Sequence, residues 1–287
     1  MESTCAVVVT YNRRPLLEEC VQALLDQTAA VDEIIVVDNA STDGTAGLVR
    51  ERFPQVRLEA LEENLGGAGG FHHGIGLAHA LGHDWLWVMD DDTIPTPTAL
   101  EALLDGVRRA PERPAMLASQ VHWTDGSLHP MNYPHPRWRS PADLVRTAEH
   151  GLVLIRSNTF VSLLVARETV DRWGLPQAAY FIWGEDTEYT TRALRHAPGY
   201  LVPESVVVHK TAKPYTAVED TSGRYYYSVR NTLLLLRGSA FAPLERVAFA
   251  TMYLRSIKTY LTNNRFRPDA LRIVARGLAH GLRGPTR

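Results

Sequence analysis

The chain has 287 residues, 45% of them hydrophobic and 22% charged, with a formal net charge of −2. That length allows one large or two small domains with a real core, and the composition is that of an ordinary soluble globular protein. The charge balance excludes a globally basic nucleic-acid binder, so nucleic acid is not an expected partner. Cys5 lies in an apolar run and Cys20 in a helical pattern. Neither has disulfide-framework or metal-ligand spacing, which places the chain in a reducing cytoplasm. A core strand begins almost at once, leaving no room for a signal peptide, and no apolar stretch reaches the roughly 20 residues that a spanning helix needs.

In chain order, residues 6–10 are a β-branched strand run, followed by a helical pattern at Leu16, Leu17, Cys20, Val21, Leu24 and Leu25. Residues 34–37 form a second apolar run ending in Asp38-Asn39, and Ser41 or Thr42 is positioned to cap a helix carrying Leu48 and Val49. A weaker strand covers 56–61. A glycine-rich turn then opens a helix to about Leu81, and residues 85–89 form a strand that ends in three aspartates. Pro97 opens a helix through Leu100, Leu103, Leu104 and Val107. The Pro-, His- and Arg-rich stretch 124–150 reads as an insertion or mobile loop. Residues 160–165 return to strand composition, 185–196 to helix, and 206–208 are a last short strand before His209. Strands alternating with helices predict an α/β fold with right-handed crossovers and a mostly parallel, Rossmann-like sheet covered by helices on both faces.

Ligands of such sheets gather beyond the carboxyl ends of the strands, and the polar clusters fall there: Thr10-Tyr11-Asn12, Asp38-Asn39, Asn64 and Asp90-Asp91-Asp92. Three adjacent carboxylates repel one another unless a cation compensates, and Mn²⁺ or Mg²⁺ takes carboxylate and phosphate oxygens together. On extended backbone Asp90 and Asp92 share a face and Asp91 points away. In Asn64-Leu-Gly-Gly-Ala-Gly-Gly70 the glycines, Gly66, Gly67 and Gly69 among them, allow backbone amides to approach a phosphate or sugar at a helix N-terminus. A dinucleotide fingerprint belongs after the first strand, and its absence there argues against a Rossmann dehydrogenase. Glu185 and Asp186 begin a helix, where acids serve either as caps or, beside a metal site, as a general base; Asp186 is the preferred base and Glu185 the alternative. His209 is either a hydrogen-bonding strand-end residue or a third metal ligand.

Taken in order, Val-Val-Val-Thr-Tyr-Asn-Arg13, Val-Val-Asp-Asn-Ala-Ser-Thr-Asp43, the Asn64 glycine run and Asp-Asp-Asp92 resemble the family 2 glycosyltransferases with the GT-A fold. The resemblance runs from about Cys5 to Arg237. Asn-Leu-Gly-Gly-Ala-Gly-Gly-Phe71 and Tyr-Tyr-Tyr-Ser-Val-Arg-Asn231 are most similar to the actinobacterial galactofuranosyltransferase and rhamnosyltransferase branch. It implies an inverting transfer of a sugar such as galactofuranose or rhamnose from a UDP- or dTDP-sugar to an acceptor hydroxyl, on a saccharide or a lipid-linked glycan. Thr10, Tyr11 and Asp38 would hold the nucleoside, with Asn12 and Asp91 on the same donor side. Asn64 and the glycines would lie by ribose and diphosphate. Asp90, Asp92 and His209 would bind the metal, and Asp186 would be the base.

Residues 1–240 are then expected to be the transferase domain, with 241–287 a basic, amphipathic helical segment. There Arg and Lys far outnumber Asp and Glu, with Val247, Phe249, Met252, Tyr253, Leu254 and Ile257 interleaved. Such a segment lies on an anionic membrane, here the inner face of the cell membrane, or packs as a helical pair on the domain or against a second copy in a homo-oligomer. The competing functions are a sugar nucleotidyltransferase, which would want a basic loop stronger than Arg13-Arg14, and a non-catalytic sugar-nucleotide or membrane-surface binding protein.

Overall fold

The computed structural model describes residues 2–137, 141–213, 217–220 and 222–284. In the first half β1 (Thr4–Thr10), α1 (Arg14–Leu25), β2 (Glu33–Asp38), α2 (Thr45–Arg52), β3 (Arg57–Ala60), α3 (Gly66–Leu81) and β4 (Trp85–Asp90) alternate as expected. β5 (Thr93–Pro95), α4 (Ala99–Arg109), β6 (Met116–His122), β7 (His135–Pro136), α5 (Pro141–Glu149), β8 (Val153–Ser157), β9 (Leu163–Ala166), α6 (Arg167–Trp173), α7 (Glu185–Leu194) and β10 (Gly199–His209) follow. The chain then turns helical: α8 (Tyr225–Arg237), α9 (Pro243–Asn263) and α10 (Pro268–Arg283).

The strands make one sheet in the order β3-β2-β1-β4-β9-β6-β10-β8-β7, with β5 also on β10. β1, β2, β3 and β4 pair in parallel, as do β6 and β10, but β9 inserts antiparallel between β4 and β6. The sheet is therefore parallel in its first half and mixed beyond it. β1 and β4 are uninterrupted apolar runs because both of their faces are covered. Alternation along β1 sends Ala6 and Val8 to the core shared with Leu17, Trp87 and Leu103, and Val7 and Val9 to the core shared with Phe71 and Ile75. Both cysteines are free and buried.

Four sequence expectations change. The helix after β2 is not capped by Ser41 or Thr42: its N-cap is Gly44 at φ 86°, and Asp43 Oδ1 accepts from the Thr45 N–H at 3.1 Å. The described residues of 124–150, expected as an insertion or mobile loop, contribute a 3-10 turn at Pro130–Asn132, β7 and α5. The last strand is 11 residues long rather than three, with its register broken between Val202 and Val206 around Pro203, where a proline is tolerated. The helix begun by Glu185 ends at Leu194.

α9 and α10 pack on α8 around Tyr225, Val229, Tyr253, Tyr260, Ala270 and Val274, and the Tyr225 and Tyr260 rings stack 3.7 Å apart. Arg156 of β8 ties this layer to the sheet. Its guanidinium donates to both Glu245 carboxylate oxygens at 2.8 and 2.9 Å, to Ala240 O at 2.9 Å and to Thr191 O at 2.5 Å. Among the described residues no helix is long and apolar enough to cross a membrane.

Candidate active site

The parallel register of β1 and β4 brings Thr10-Tyr11-Asn12-Arg13 beside Asp90-Asp91-Asp92, 77 and more residues away in sequence. The Asp91 N–H donates to Val9 O at 3.2 Å, which carries the strand pairing into the acidic turn. Asp91 and Asp92 are buried, and a buried carboxylate needs a partner. Asp91 takes the Thr10 hydroxyl at 2.7 Å and Arg13 Nη1 at 3.3 Å, and the same Arg13 nitrogen donates to Asp92. Asp91 and Asp92 thus share one guanidinium, a contact that the strand-end pattern did not predict. Burial raises the Asp91 pKa to about 6 against the pull of Arg13. Burial and the neighbouring Asp92 and Asp91 push Asp90 well above the ordinary carboxylate range. Burial also works against ionised Asp92, but His209 and Arg13 outweigh it and hold that carboxyl low.

Among the described residues no three His, Cys, Asp or Glu side chains are already gathered around one metal position. Arg13 is the reason at Asp91 and Asp92: with three carboxylates at one strand end, the nearest cation folds onto them. The donor set still fits a divalent ion. Asp92 Oδ1 is buried and accepts no hydrogen bond, and His209 Nε2 faces it at 3.2 Å. A lone pair and an unsatisfied carboxylate oxygen, both buried, are what such an ion uses.

The second acidic group comes from the start of α7. Glu185 is buried with Oε2 unpartnered, and burial followed by Asp186 raises its pKa well above the usual value. Asp186 is raised as well, chiefly by burial, while its Oδ1 accepts the Thr187 N–H at 2.5 Å and the Thr187 hydroxyl at 3.2 Å. Asp186 contributes to raising Asp90, and Asp90 to raising Glu185, so the β4 and α7 acids lie within electrostatic reach of one another. The loop before α7 carries positive φ at Phe181 (63°), Trp183 (65°) and Gly184 (96°). Asn231 of α8 secures it, its Nδ2 donating to the carbonyls of Tyr180, Ile182 and Trp183 at 3.0, 2.8 and 2.6 Å.

The glycine run serves packing as much as access. Gly66 has φ 71°, and a Cβ there would lie 2.1 Å from Phe181 O; the Ala68 N–H donates to that same carbonyl at 3.0 Å. One amide expected to face a phosphate is therefore used by the α7 loop. Gly67 faces Glu185 Oε1, whereas Gly69 stands against the Leu65 side chain. Asn64 Oδ1 accepts the Gly66 N–H at 2.8 Å, closing the turn that opens α3. Asn12 Oδ1 accepts the Thr42 N–H at 2.8 Å, linking the β1 and β2 loops. Asp38 is buried, and its Oδ1 accepts the Ser41 N–H at 2.9 Å. Tyr11 stands exposed at the mouth.

Residues 5–160 match the profile of the family described as Glycosyl transferase family 2, more than half of the chain. The chain belongs to that family. It is 32% identical over 202 residues to galactofuranosyltransferase GlfT1 of Mycolicibacterium smegmatis, covering 68% of this chain and 66% of that one. To the N-acetylglucosaminyl-diphospho-decaprenol L-rhamnosyltransferase of Mycobacterium tuberculosis it is 28% identical over 282 residues, covering 87% and 90%. The chain spans just under two thirds of the length of the GlfT1 relatives. Among solved structures, S. aureus TarS 1-349 in complex with UDP-GlcNAc superposes with a TM-score of 0.63 at 15% identity, over 99% of this chain and 82% of that one. That likeness shows the fold, which is GT-A.

In this family 2 chain the fold brings the predicted Thr10, Asp90, Asp91, Asp92, Glu185, Asp186 and His209 within hydrogen-bonding or electrostatic reach of one another, with Gly67 beside Glu185. Asn12 and Asn64 brace the loops beside this group. Sequence reading gave no site role to Arg13, Asn39, His129, Asn132 or Asn231. Arg13 was visible as part of the strand-end motif. Asn39, whose Nδ2 donates to Gly66 O at 3.1 Å, was visible as the neighbour of Asp38. Asn231 was visible as the last residue of the Tyr-Tyr-Tyr-Ser-Val-Arg-Asn motif, and His129 and Asn132 had no local signal.

Proposed function

We propose that this protein is an inverting, metal-dependent glycosyltransferase that moves a sugar from a UDP- or dTDP-sugar to an acceptor hydroxyl on a saccharide or lipid-linked glycan. The observation that carries this reading is the meeting of two acidic groups, Asp90–Asp92 at the end of β4 and Glu185–Asp186 at the start of α7, across the glycine-rich opening of α3. Asp90, Asp92 and His209 would hold Mn²⁺ or Mg²⁺, which when bound neutralises charge on the leaving diphosphate. Arg13 would turn from the aspartates to the phosphates. Asp38, with one oxygen fixed by Ser41, offers the other to the imide N–H of a pyrimidine, and Tyr11 covers the base. Asp186 takes the acceptor proton, so that attack from the opposite face inverts the anomeric centre without a protein nucleophile.

Its GlfT1 and rhamnosyltransferase relatives suit galactofuranose or rhamnose as the donor sugar, and the decaprenol-linked name of the second suits a lipid-linked acceptor. The transferase unit would be residues 1–240, with 241–287 bringing it to the inner face of the membrane. A panel of UDP-, dTDP- and GDP-sugars, followed by thermal stabilisation and donor hydrolysis with Mn²⁺, tests the reading. Pyrimidine diphosphate sugars should stabilise and turn over, and excess chelator should abolish turnover. Full turnover in chelator, or by Asp92→Ala, would overturn the metal role, and tighter binding of GDP would overturn the role of Asp38.

A further inference from the structure

His209 is held from behind by a chain of hydrogen bonds that ends in the 124–150 stretch. Its Nδ1 lies 2.8 Å from Asn132 Oδ1, and Asn132 Nδ2 donates to Thr159 Oγ1 at 2.8 Å, so the amide oxygen faces the ring. Asn132 is buried, so no water substitutes for it freely. Its backbone is set by the 3-10 turn, in which His129 Nδ1 accepts the Met131 N–H at 3.2 Å and His129 Nε2 donates to Thr211 Oγ1 at 2.8 Å. The His129 ring lies 4.8 Å from that of His209, closing its other side. With the amide oxygen toward it, Nδ1 must carry the proton of the neutral ring, which leaves the Nε2 lone pair directed at the cleft. On the cleft side Nε2 stands 3.2 Å from Asp92 Oδ1, the spacing at which the two could share one cation.

We infer that Asn132 is a positioning residue. It holds His209 in the Nδ1–H tautomer, with Nε2 and Asp92 Oδ1 preset as two ligands of a divalent cation. The cation rests on the proposed function; the tautomer does not. A partner on the far nitrogen of a metal-binding histidine fixes ring orientation and is typically worth about 10- to 100-fold in metal affinity.

The test uses the full chain labelled with ¹⁵N in its histidine rings, metal-free and at a pH where imidazole is neutral, with His209→Gln assigning the signals. Long-range ¹H–¹⁵N spectra should show a protonated Nδ1 and a bare Nε2 for His209, the reverse of the tautomer that free imidazole side chains prefer in water. Asn132→Leu should release the ring to Nε2–H. Mn²⁺ titrated alone by electron paramagnetic resonance should bind this variant about 10- to 100-fold more weakly. Asn132→Asp, which still accepts from Nδ1, should restore both. An Nε2–H tautomer in the wild-type protein overturns the inference without needing any variant to fold. So does an Asn132→Leu protein with unchanged tautomer and Mn²⁺ affinity. A wild-type protein that shows the Nδ1–H tautomer but binds no Mn²⁺ supports the positioning and overturns the metal reading.

Discussion

Asp186 and Glu185 are adjacent carboxyls at one helix start, and burial raises both, yet they are held differently. Asp186 is fixed through Oδ1 by the Thr187 N–H and hydroxyl, which leaves Oδ2 for the proposed role as base. Asp186→Asn should lower kcat by about 10²–10⁴ while donor still binds by calorimetry. Near wild-type turnover would make Asp186 a helix cap, and loss of donor affinity would move it to the donor site. Because its pKa lies above the ordinary 3.8, the base is lost on acidification earlier than an exposed aspartate would be. A kcat–pH profile should therefore fall through a midpoint above that value. Glu185 has an unpartnered buried oxygen and a folded-state pKa raised well above 4.5. The sign follows from linkage: a folded-state pKa raised above the unfolded one costs stability at pH values above the ordinary glutamate range. Glu185→Gln should raise the Tm at neutral pH, and the gain should fade as the pH drops toward the ordinary glutamate range. A lower Tm at neutral pH would show that the ionised carboxylate has a stabilising partner.

At the level of elements, the α7 loop is where the fold stores strain. Non-glycine residues at positive φ cost on the order of 1–3 kcal/mol each, and Phe181 and Trp183 both adopt it. The compensation is the Asn231 amide from α8 and the Arg230 Nη2 donation to Tyr180 O at 2.9 Å. Asn231→Ala removes the amide donor from the Ile182 and Trp183 carbonyls, while Tyr180 O keeps Arg230, and should destabilise by about 1–3 kcal/mol in urea. It should also lower kcat more than it weakens donor binding, because the loop sets Glu185 and Asp186. Unchanged kcat would mean that the loop keeps its shape alone. Gly66→Ala should be far worse than Gly67→Ala, as the first puts a Cβ 2.1 Å from a carbonyl at φ 71° and the second meets only Glu185 Oε1 at 3.5 Å. Equal Tm values for the two would refute this account. The helix after Asn64 was legible from composition. That it begins under the α7 loop was not, because the two segments lie more than 110 residues apart.

On the scale of the whole molecule, the C-terminal helices divide the residues that looked uniformly amphipathic. Tyr253 and Tyr260 face α8, and Phe249 packs on Phe241 at 4.6 Å. Leu244, Val247, Met252 and Leu254 of α9 are 85%, 65%, 57% and 66% exposed, with Arg255 and Lys258 on the same outward side. Single exposed apolar residues are ordinary, but four within three turns beside two cations form a surface suited to an anionic bilayer. The protein should float with anionic liposomes at low salt and less so at high salt, and Leu244→Glu with Met252→Glu should abolish flotation. Failure to float at low salt would leave this face to a second copy of the chain, measurable as a dimer.

Local pattern alone determined the parallel half of the sheet, the strand-end clusters and the acidic helix start. Strand and helix periodicity, capping chemistry and carboxylate repulsion all act within a few residues. Tertiary structure decided the rest: β9 reversed between β4 and β6, Arg13 drawn onto Asp91 and Asp92, and Asn132 placed behind a histidine 77 residues away. Each is a pairing between distant segments, settled by which buried polar group lacks a partner once the chain has closed, and no window of sequence contains both members.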